Sequence, residues 1–179
     1  MSNLDWRPAL DVPELLAPPV ATALAGLAGA QQLEAAAIDP ALADTAEFCA
    51  AYGIGLDASA NCVIVTGKRE GQARYAACLV LATTRADVNG VARRLLDVRK
   101  ASFAPMDDAV GATGMQYGGI TPIGLPASWP IFVSAQVAAA GRVVIGSGRR
   151  DSKLRLPAEL LLQLPGARFV PDLANPIPG

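Results

Sequence analysis

Short runs of β-branched and apolar residues recur along the chain and predict its strands. The two densest runs, Asn61 to Thr66 and Tyr75 to Thr83, flank the polar segment Gly67 to Gly71, which predicts a β-hairpin. Shorter runs predict further strands at Leu33 to Ile38, Arg99 to Phe103, Ile131 to Ser134, Arg142 to Ile145, Leu154 to Leu156 and Arg168 to Val170. Short predicted strands are therefore distributed from residue 33 to residue 170.

Capping residues predict helices between these strands. Asp44 or Thr45 can cap a helix that runs through Tyr52, and Gly53 suits its C-terminal end. Further helices are predicted at Val20 to Gly29, Asp87 to Leu95, Pro105 to Gly111 or Gly114, and Pro157 to Leu164. Helices and strands are thus interspersed, which is typical of an α/β fold.

The chain shows no internal repeat and no obvious linker, so we predict one α/β domain with a mixed sheet. We expect residues 1–30 to form an N-terminal arm and a short helix that pack on the domain. Residues 31–173 would form the domain itself, and residues 174–179 would be a frayed tail.

Composition and charge restrict the class of protein. The 179 residues are 52% hydrophobic, which is ample for a core, and alanine and valine supply much of it. Residues 1–84 carry four basic and nine acidic side chains, a net charge of −5, whereas residues 85–179 carry eleven and seven, a net charge of +4. The second half could present a modest positive face, or only an ordinary solvated surface.

The sequence also predicts where the protein resides. The apolar run Leu15 to Ala30 follows acidic rather than basic residues, is interrupted by Pro18-Pro19, and is too short to span a bilayer. Three cysteines without a CxxC spacing favour a reducing compartment. We therefore expect a soluble cytoplasmic protein with no membrane partner.

The chain contains no histidine, which excludes several catalytic mechanisms. Ser-His-Asp and Cys-His nucleophile pairs are impossible, and so are metal sites built on imidazole. Without a histidine to activate it, Cys62 is expected to be a core residue rather than a nucleophile, and Cys49 and Cys78 are expected to pack. We expect no metal and no organic cofactor.

A glycine- and proline-rich loop is the strongest candidate site. In Gly118-Gly119-Ile120-Thr121-Pro122, the two glycines permit φ > 0, and Pro122 restricts Thr121 to extended conformations. Such a rigid bend could present the amides of Gly119, Ile120 and Thr121 to a carbonyl oxygen or an oxyanion. The alternative is a tight turn between a helix and a strand.

Four segments together resemble the YbaK/EbsC family of aminoacyl-tRNA deacylases, which includes the editing insertion of bacterial prolyl-tRNA synthetases. They are Thr45 to Val65, Arg99 to Ala104, Gly118 to Gly124 and Gly146 to Arg150. The resemblance implies a single-domain α/β fold with a mixed, largely antiparallel, barrel-like sheet and surrounding helices.

The resemblance also implies a function: hydrolysis of the ester of a mischarged tRNA, assisted by groups of the substrate. The acceptor end of an aminoacyl-tRNA would be the ligand, and a synthetase could be a partner. Gly118 and Pro122 match the ends of the GxxxP loop of the family, so residues 118 to 122 would form the catalytic loop. Gly146, Ser147, Gly148 and Arg149 resemble its late glycine–arginine turn, which would bind the substrate, or would be only a hairpin turn.

One position departs from the family pattern. A lysine usually begins the first hairpin strand, where it contacts the substrate, and this chain has Asn61 there. Asparagine can donate a hydrogen bond but carries no charge. Lys100 or Arg149 could supply the missing cation, although Lys100 also suits a solvated strand end. The departure favours, as an alternative function, a non-catalytic module that binds an aminoacyl group, a nucleotide or a synthetase.

Overall fold

The structure is a computed structural model and describes residues 3–178. The strands are β1 (Arg7–Pro8), β2 (Glu34–Ala37), β3 (Ala60–Arg69), β4 (Gln72–Leu81), β5 (Thr84–Ala86), β6 (Ala101–Phe103), β7 (Ile131–Ser134), β8 (Arg142–Gly146), β9 (Ser152–Pro157), β10 (Ala167–Val170) and β11 (Ala174–Pro176). The α-helices are α1 (Pro18–Ala25), α2 (Thr45–Tyr52), α3 (Arg93–Leu96), α4 (Met106–Thr113) and α5 (Ala135–Ala138). Short 3₁₀ segments and one π-helical turn, Val88–Ala92, connect them.

Two main sheets form the framework. One has the strand order β10-β7-β4-β3-β6, and the other has the order β1-β2-β9-β8. Within residues 3–178, only β10–β7 and β7–β4 are parallel among eight strand pairings. A parallel bridge between Ser59 and Val144 connects the two sheets. The expected α/β fold with a mixed, largely antiparallel sheet is confirmed.

The β3–β4 hairpin is longer than the hydrophobic pattern predicts. The ladder continues to the pair Arg69 and Gln72, so the turn consists of Glu70 and Gly71 alone. Both turn residues have positive φ, 51° and 79°, which matches the tight two-residue turns that suit the twist of a hairpin. Gly67, predicted to lie in the turn, is instead within the strand, where an added Cβ would lie 2.5 Å from the Lys100 carbonyl oxygen on the neighbouring chain segment.

The residues predicted as caps lie at the main helix ends. Asp44 precedes α2, although its side chain forms no capping hydrogen bond, and Gly53 ends the helix with a φ of 66°. Gly114 ends α4 in the same left-handed conformation, with a φ of 67°. The Asp87 carboxylate accepts hydrogen bonds from the N–H groups of Gly90 and Val91, but the turn it caps is π-helical before α3 begins.

Two segments differ from the sequence expectations. Ala174–Pro176, expected in a frayed tail, forms β11 and pairs antiparallel with β5. The carbonyl of Thr83 also accepts a hydrogen bond from the Ile177 N–H, so the pairing continues beyond the strand. Residues 158–163 form a 3₁₀ helix rather than an α-helix. The hydrophobic pattern alone gave no signal for the β5–β11 pairing, because β11 contains two polar or proline residues in three.

The N-terminal segment is part of the core. Leu16, Ala17, Val20 and Leu24 are buried in the same cluster as the inward-facing residues of β4, β7 and β8. The Ala17 N–H donates to the Ser147 carbonyl oxygen over 3.1 Å. This segment therefore supports the loop that follows β8.

Candidate functional site

A cavity of about 540 Å³ opens where the start of β3 meets β6, β8, β9 and the glycine–proline loop. It is lined by Ala43, Asp44, Thr45, Ser59, Ala60, Asn61, Cys62, Val63, Ile64, Phe103, Ala104, Met106, Ala109, Tyr117, Gly118, Ile120, Ile145, Gly146 and Lys153. Its floor is buried and mostly apolar, with Ala60, Ile64, Ala109 and Ile145. Its rim is exposed and includes Phe103 and Tyr117.

The glycine–proline loop contributes Gly118 and Ile120 to this cavity. Within residues 3–178, neither of their N–H groups has a hydrogen-bond acceptor. The Gly119 N–H, by contrast, donates to the Gln116 carbonyl oxygen over 3.0 Å, and the Thr121 N–H faces the Met115 sulfur at 3.5 Å. The expectation that Gly119 and Thr121 present their amides to a cleft is therefore wrong.

Thr121 and Pro122 are buried beneath the loop and do not line the cavity. Ile123, which follows Pro122, is also buried, so this part of the chain attaches the loop to the core. Gly118 has a φ of 80°, as the paired glycines suggested, and an added Cβ there would meet the Arg150 guanidinium. The loop thus offers two free amides, those of Gly118 and Ile120, on a fixed base.

The two glycine-rich loops pack backbone to backbone. The Gly148 N–H donates to the Gly119 carbonyl oxygen over 2.7 Å, and the Gln116 N–H donates to the Gly148 carbonyl oxygen over 2.8 Å. A Cβ on Gly119 would meet the backbone of Arg149, and a Cβ on Gly146 would meet the carbonyl of Gly119. These glycines therefore allow close approach of the two loops. Of the four residues of the late turn, 146 to 149, only Gly146 lines the cavity.

The other residues of the late turn face away from the cavity. Ser147 is fully buried, and its hydroxyl lies 2.7 Å from the hydroxyl of Ser152. Arg149 forms a two-point ion pair with Asp151, at 2.8 and 2.7 Å. This hydrogen bonding raises the pKa of Arg149 and lowers the pKa of Asp151. Arg149 is therefore already neutralised, and Ser147 and Gly148 are placed to support the loop.

Asn61 lines the cavity beside Thr45 at the start of α2. The Thr45 hydroxyl donates to Asn61 Oδ1 over 2.7 Å. Because the amide oxygen is engaged, the two N–H donors of Asn61 are left for a ligand, and within residues 3–178 they have no acceptor. The residue is thus a neutral donor in the place where the family pattern has a cation.

Lys153, on β9, is the cation of the cavity, and sequence reasoning missed it. The side chain is only 8% exposed, and its ammonium donates to the Ala43 carbonyl oxygen over 3.0 Å. It takes part in none of the ion pairs formed within residues 3–178. Lys100, in contrast, is exposed and does not line the cavity.

Burial lowers the pKa of Lys153 from its ordinary value of 10.5, because desolvation disfavours the charged form. Cys49 and Asp44 oppose this shift, and Arg150 adds to it. No local signal in the sequence marked Lys153. Side chains alternate between the two faces of a strand, so Lys153 lies on the face opposite Leu154 and Leu156, and that face is covered by Ala43 and Phe48 from a distant part of the chain.

The cysteine environments argue against a thiolate. Cys62 lines the cavity, but burial strongly raises the pKa of its thiol, and Cys78 adds to the effect. Burial also raises the pKa of Cys78 to about 12 and raises the pKa of Cys49. All three are free thiols, and none has an environment that would produce a nucleophile at neutral pH.

Neither a membrane-spanning helix nor a metal-binding cluster is found within the described residues. Over residues 3–178, no helix is both long and apolar enough to cross a membrane. The same residues contain no cluster of three or more cysteine or carboxylate side chains that could hold a metal ion.

Comparisons with known proteins agree with the geometry. The model of the aminoacyl-tRNA editing domain family matches residues 39–164, which include every residue that lines the cavity. The resemblance to an editing domain that the sequence suggested is confirmed.

Three solved structures share the fold. A proposed trans-editing enzyme for prolyl-tRNA synthetase is 23% identical, with a TM-score of 0.72 over 87% of this chain and 94% of that one. The hypothetical protein APE2540 is 20% identical, with a TM-score of 0.70 over 80% and 91%. A scaffold protein from a study of computational epitope grafting is 22% identical, with a TM-score of 0.73 over 87% and 95%. At these identities the likeness establishes the fold alone.

Proposed function

The chain belongs to the aminoacyl-tRNA editing domain family, and from this premise we propose that it hydrolyses the ester of a mischarged aminoacyl-tRNA. The observation that carries the proposal is that one cavity is lined by Gly118 and Ile120, whose N–H groups have no acceptor within residues 3–178, and by Lys153, which is buried.

These groups suit the charge that develops during ester hydrolysis. Water adds to the ester carbonyl carbon, and the carbonyl oxygen becomes an oxyanion. The amides of Gly118 and Ile120 would donate hydrogen bonds to that oxygen, and a preorganised donor of this kind typically contributes about 10²–10³ in rate. The carbon–oxygen bond to the ribose then breaks, and the ribose oxygen takes a proton as it leaves.

The cavity contains no histidine, and Asp44, the one carboxylate among its described lining residues, is paired with Arg150 at 3.5 Å. We propose that the free vicinal hydroxyl of the terminal ribose, itself part of the substrate, assists in moving the proton from the attacking water. The chain would then need to supply only position and charge, which agrees with a site composed of amides, Asn61 and one lysine.

Lys153 would take the role that a lysine at the start of β3 has in the family pattern. An ammonium has three donors, and the Ala43 carbonyl occupies one of them. The remaining donors can contact the oxyanion or the phosphate at the acceptor end. Within residues 3–178 Lys153 forms no ion pair, and Asp44 attracts it only from beyond contact distance, so its charge is not neutralised by direct contact as that of Arg149 is.

The partner implied is the acceptor end of a tRNA, and a synthetase could deliver it, in the cytoplasm. The floor of the cavity, with alanine, isoleucine and cysteine, favours a small acyl group. Selection by one methylene group is worth only about 1–3 kcal/mol, so several small amino acids could be accepted.

A second candidate function is binding without hydrolysis, and the uncharged Asn61 is the observation that favours it. The same cavity would then hold an aminoacyl or nucleotide group while the ester stays intact.

A deacylation assay over a panel of mischarged tRNAs tests the proposal. We expect multiple-turnover hydrolysis, reduced about 10²-fold in Lys153→Met. The Lys100→Met variant is the matched control and should keep its rate, because Lys100 is exposed outside the cavity. Saturable binding of the mischarged tRNA with no hydrolysis would support the binding module instead, and equal rates in both variants would remove Lys153 from the mechanism.

A further inference from the structure

The rim of the cavity carries three large apolar side chains that are exposed to solvent. Phe103 is 60% exposed, Tyr117 is 55% exposed and Met106 is 51% exposed, and all three line the cavity. Single exposed apolar residues are common, but several that border one cavity mark an interaction surface. We call Phe103, Met106 and Tyr117 the aromatic rim.

The two rings of the rim have no aromatic partner. Within residues 3–178, the ring pairs are Phe48 with Tyr52 and Tyr75 with Trp129, and neither includes Phe103 or Tyr117. Both rings therefore have faces available to a planar ligand, which prefers offset stacking or edge-to-face contact with an aromatic side chain.

The backbone holds both ring-bearing residues in place. Phe103 is paired with Val65 in the β6–β3 ladder, and the following Ala104 N–H donates to the Ile64 carbonyl oxygen over 2.9 Å. Arg150 reaches the Tyr117 carbonyl oxygen at 3.5 Å. Because these positions are fixed without a ligand, stacking on the rim would require little reordering of the chain.

Both signs of charge lie near the rim, and Arg150 is the cation beside Tyr117. Asp107 and Asp108 are exposed after Met106, whereas the Arg150 guanidinium contacts the Tyr117 carbonyl oxygen, and within residues 3–178 its one carboxylate contact is Asp44 at 3.5 Å. An aromatic ring next to a guanidinium group is an arrangement by which proteins hold an unpaired base and its phosphate.

We propose that Phe103 and Tyr117 stack on the nucleobase of the terminal adenosine of the substrate, with Met106 against its edge. This inference rests on the proposed function. The ester is attached to the ribose of that adenosine, so when the carbonyl lies at the amides of Gly118 and Ile120, the base must lie close to the mouth. Gly118 directly follows Tyr117, which places the ring next to the proposed oxyanion donors.

Binding of a stable analogue tests the inference independently of turnover. The probe is an RNA microhelix whose terminal adenosine carries the amino acid through an amide in place of the ester, compared with the same microhelix lacking the terminal base. We expect the unmodified protein to bind the intact probe about 5- to 100-fold more tightly than the abasic one. The Phe103→Ala/Tyr117→Ala variant should lose this preference.

Phe169→Ala is the matched control, because Phe169 is 54% exposed on β10 and does not line the cavity. It should keep the full preference for the intact probe, and so should Phe103→Trp, which retains an aromatic face. Thermal unfolding of each variant verifies that the substitutions leave the fold intact, as expected for exposed side chains.

Three outcomes are distinguishable. If the double variant prefers the intact probe as strongly as the unmodified protein does, or if the unmodified protein has no preference, the inference is overturned. If the preference behaves as expected but no mischarged tRNA is hydrolysed, the inference stands and the proposed hydrolysis fails. If hydrolysis of mischarged tRNA is retained in the double variant with unchanged KM, the proposed hydrolysis stands and the aromatic rim is not its base site.

Discussion

The Lys153 ammonium lies 5.0 Å from the centre of the ring of Phe48, a residue of α2. A cation over an aromatic face is attracted by about 0.5–2 kcal/mol, depending on its desolvation. The ring and the Ala43 carbonyl are thus the groups that hold the charge, where a carboxylate would have neutralised it. This arrangement keeps a buried cation available to an anionic ligand.

Stability should therefore depend on pH through Lys153. Burial lowers its pKa in the folded chain below 10.5, so between the two pKa values the unfolded chain binds more protons. The free energy of unfolding should accordingly rise with pH between the two pKa values. Below both of them Lys153 is charged in the folded chain, and the full cost of burying that charge is present. Urea unfolding at pH 8 and pH 10.5 measures this change, with Lys153→Met as the reference that lacks it. A difference between the two proteins that stays constant, or that changes in the opposite direction, would contradict the lowered pKa.

A second lysine in the cavity should not improve the protein. In Asn61→Lys the new ammonium would share the cavity with Lys153, and two like charges in a partly buried space repel by roughly 1 kcal/mol or more. We expect lower stability and no gain in deacylation.

The double variant Lys153→Met/Asn61→Lys tests whether a cation at residue 61 can replace the one at residue 153. In Lys153→Met the cavity has no cation, and adding Asn61→Lys should restore deacylation by about tenfold over Lys153→Met alone. Initial rates on one mischarged tRNA for the three variants provide the comparison. If Asn61→Lys alone raised the rate, Asn61 would be the limiting departure and Lys153 would not be its substitute.

The sequence predicted the framework because its signals were local. Alternating apolar residues, Asp44 and Gly53 around α2, and the order of the two glycine loops were sufficient for the fold. Lys153 was missed because its burial depends on contact between α2 and β9, two elements that are far apart in the chain. The free amides of the loop could not be assigned either, because Gln116 and Met115 decide which N–H groups are already engaged.

Cys62 should be dispensable for catalysis. Burial raises the pKa of its thiol far above neutrality, so the reactive thiolate is scarce. We expect Cys62→Ala to keep the deacylation rate within about threefold, since the change removes one sulfur from the lining. Alkylation at pH 8 should likewise leave Cys62 unlabelled until the chain is unfolded, as mass spectrometry of the peptides can determine. Rapid labelling with parallel loss of activity would argue for a thiolate mechanism instead.

The close packing of the two glycine loops predicts that a single added methyl group is damaging there. In Gly119→Ala the added Cβ would meet the backbone of Arg149, which cannot rotate away as a side chain can. Overpacking of this kind typically costs about 1–3 kcal/mol, and here it would also displace the carbonyl that accepts from the Gly148 N–H. We expect a lower melting temperature and a loss of deacylation, because the neighbouring amides of Gly118 and Ile120 would shift with the loop.

Gly111→Ala is the control for this change. Gly111 lies in α4 with no atom within 4 Å of an added Cβ, and alanine favours a helix over glycine by about 0.5–1 kcal/mol. The same methyl group should therefore stabilise the protein at residue 111 and destabilise it at residue 119, as urea unfolding of the two variants would measure. Equal stability of the two would mean that the loops can separate at little cost, and the fixed position of the free amides would then have to come from another contact.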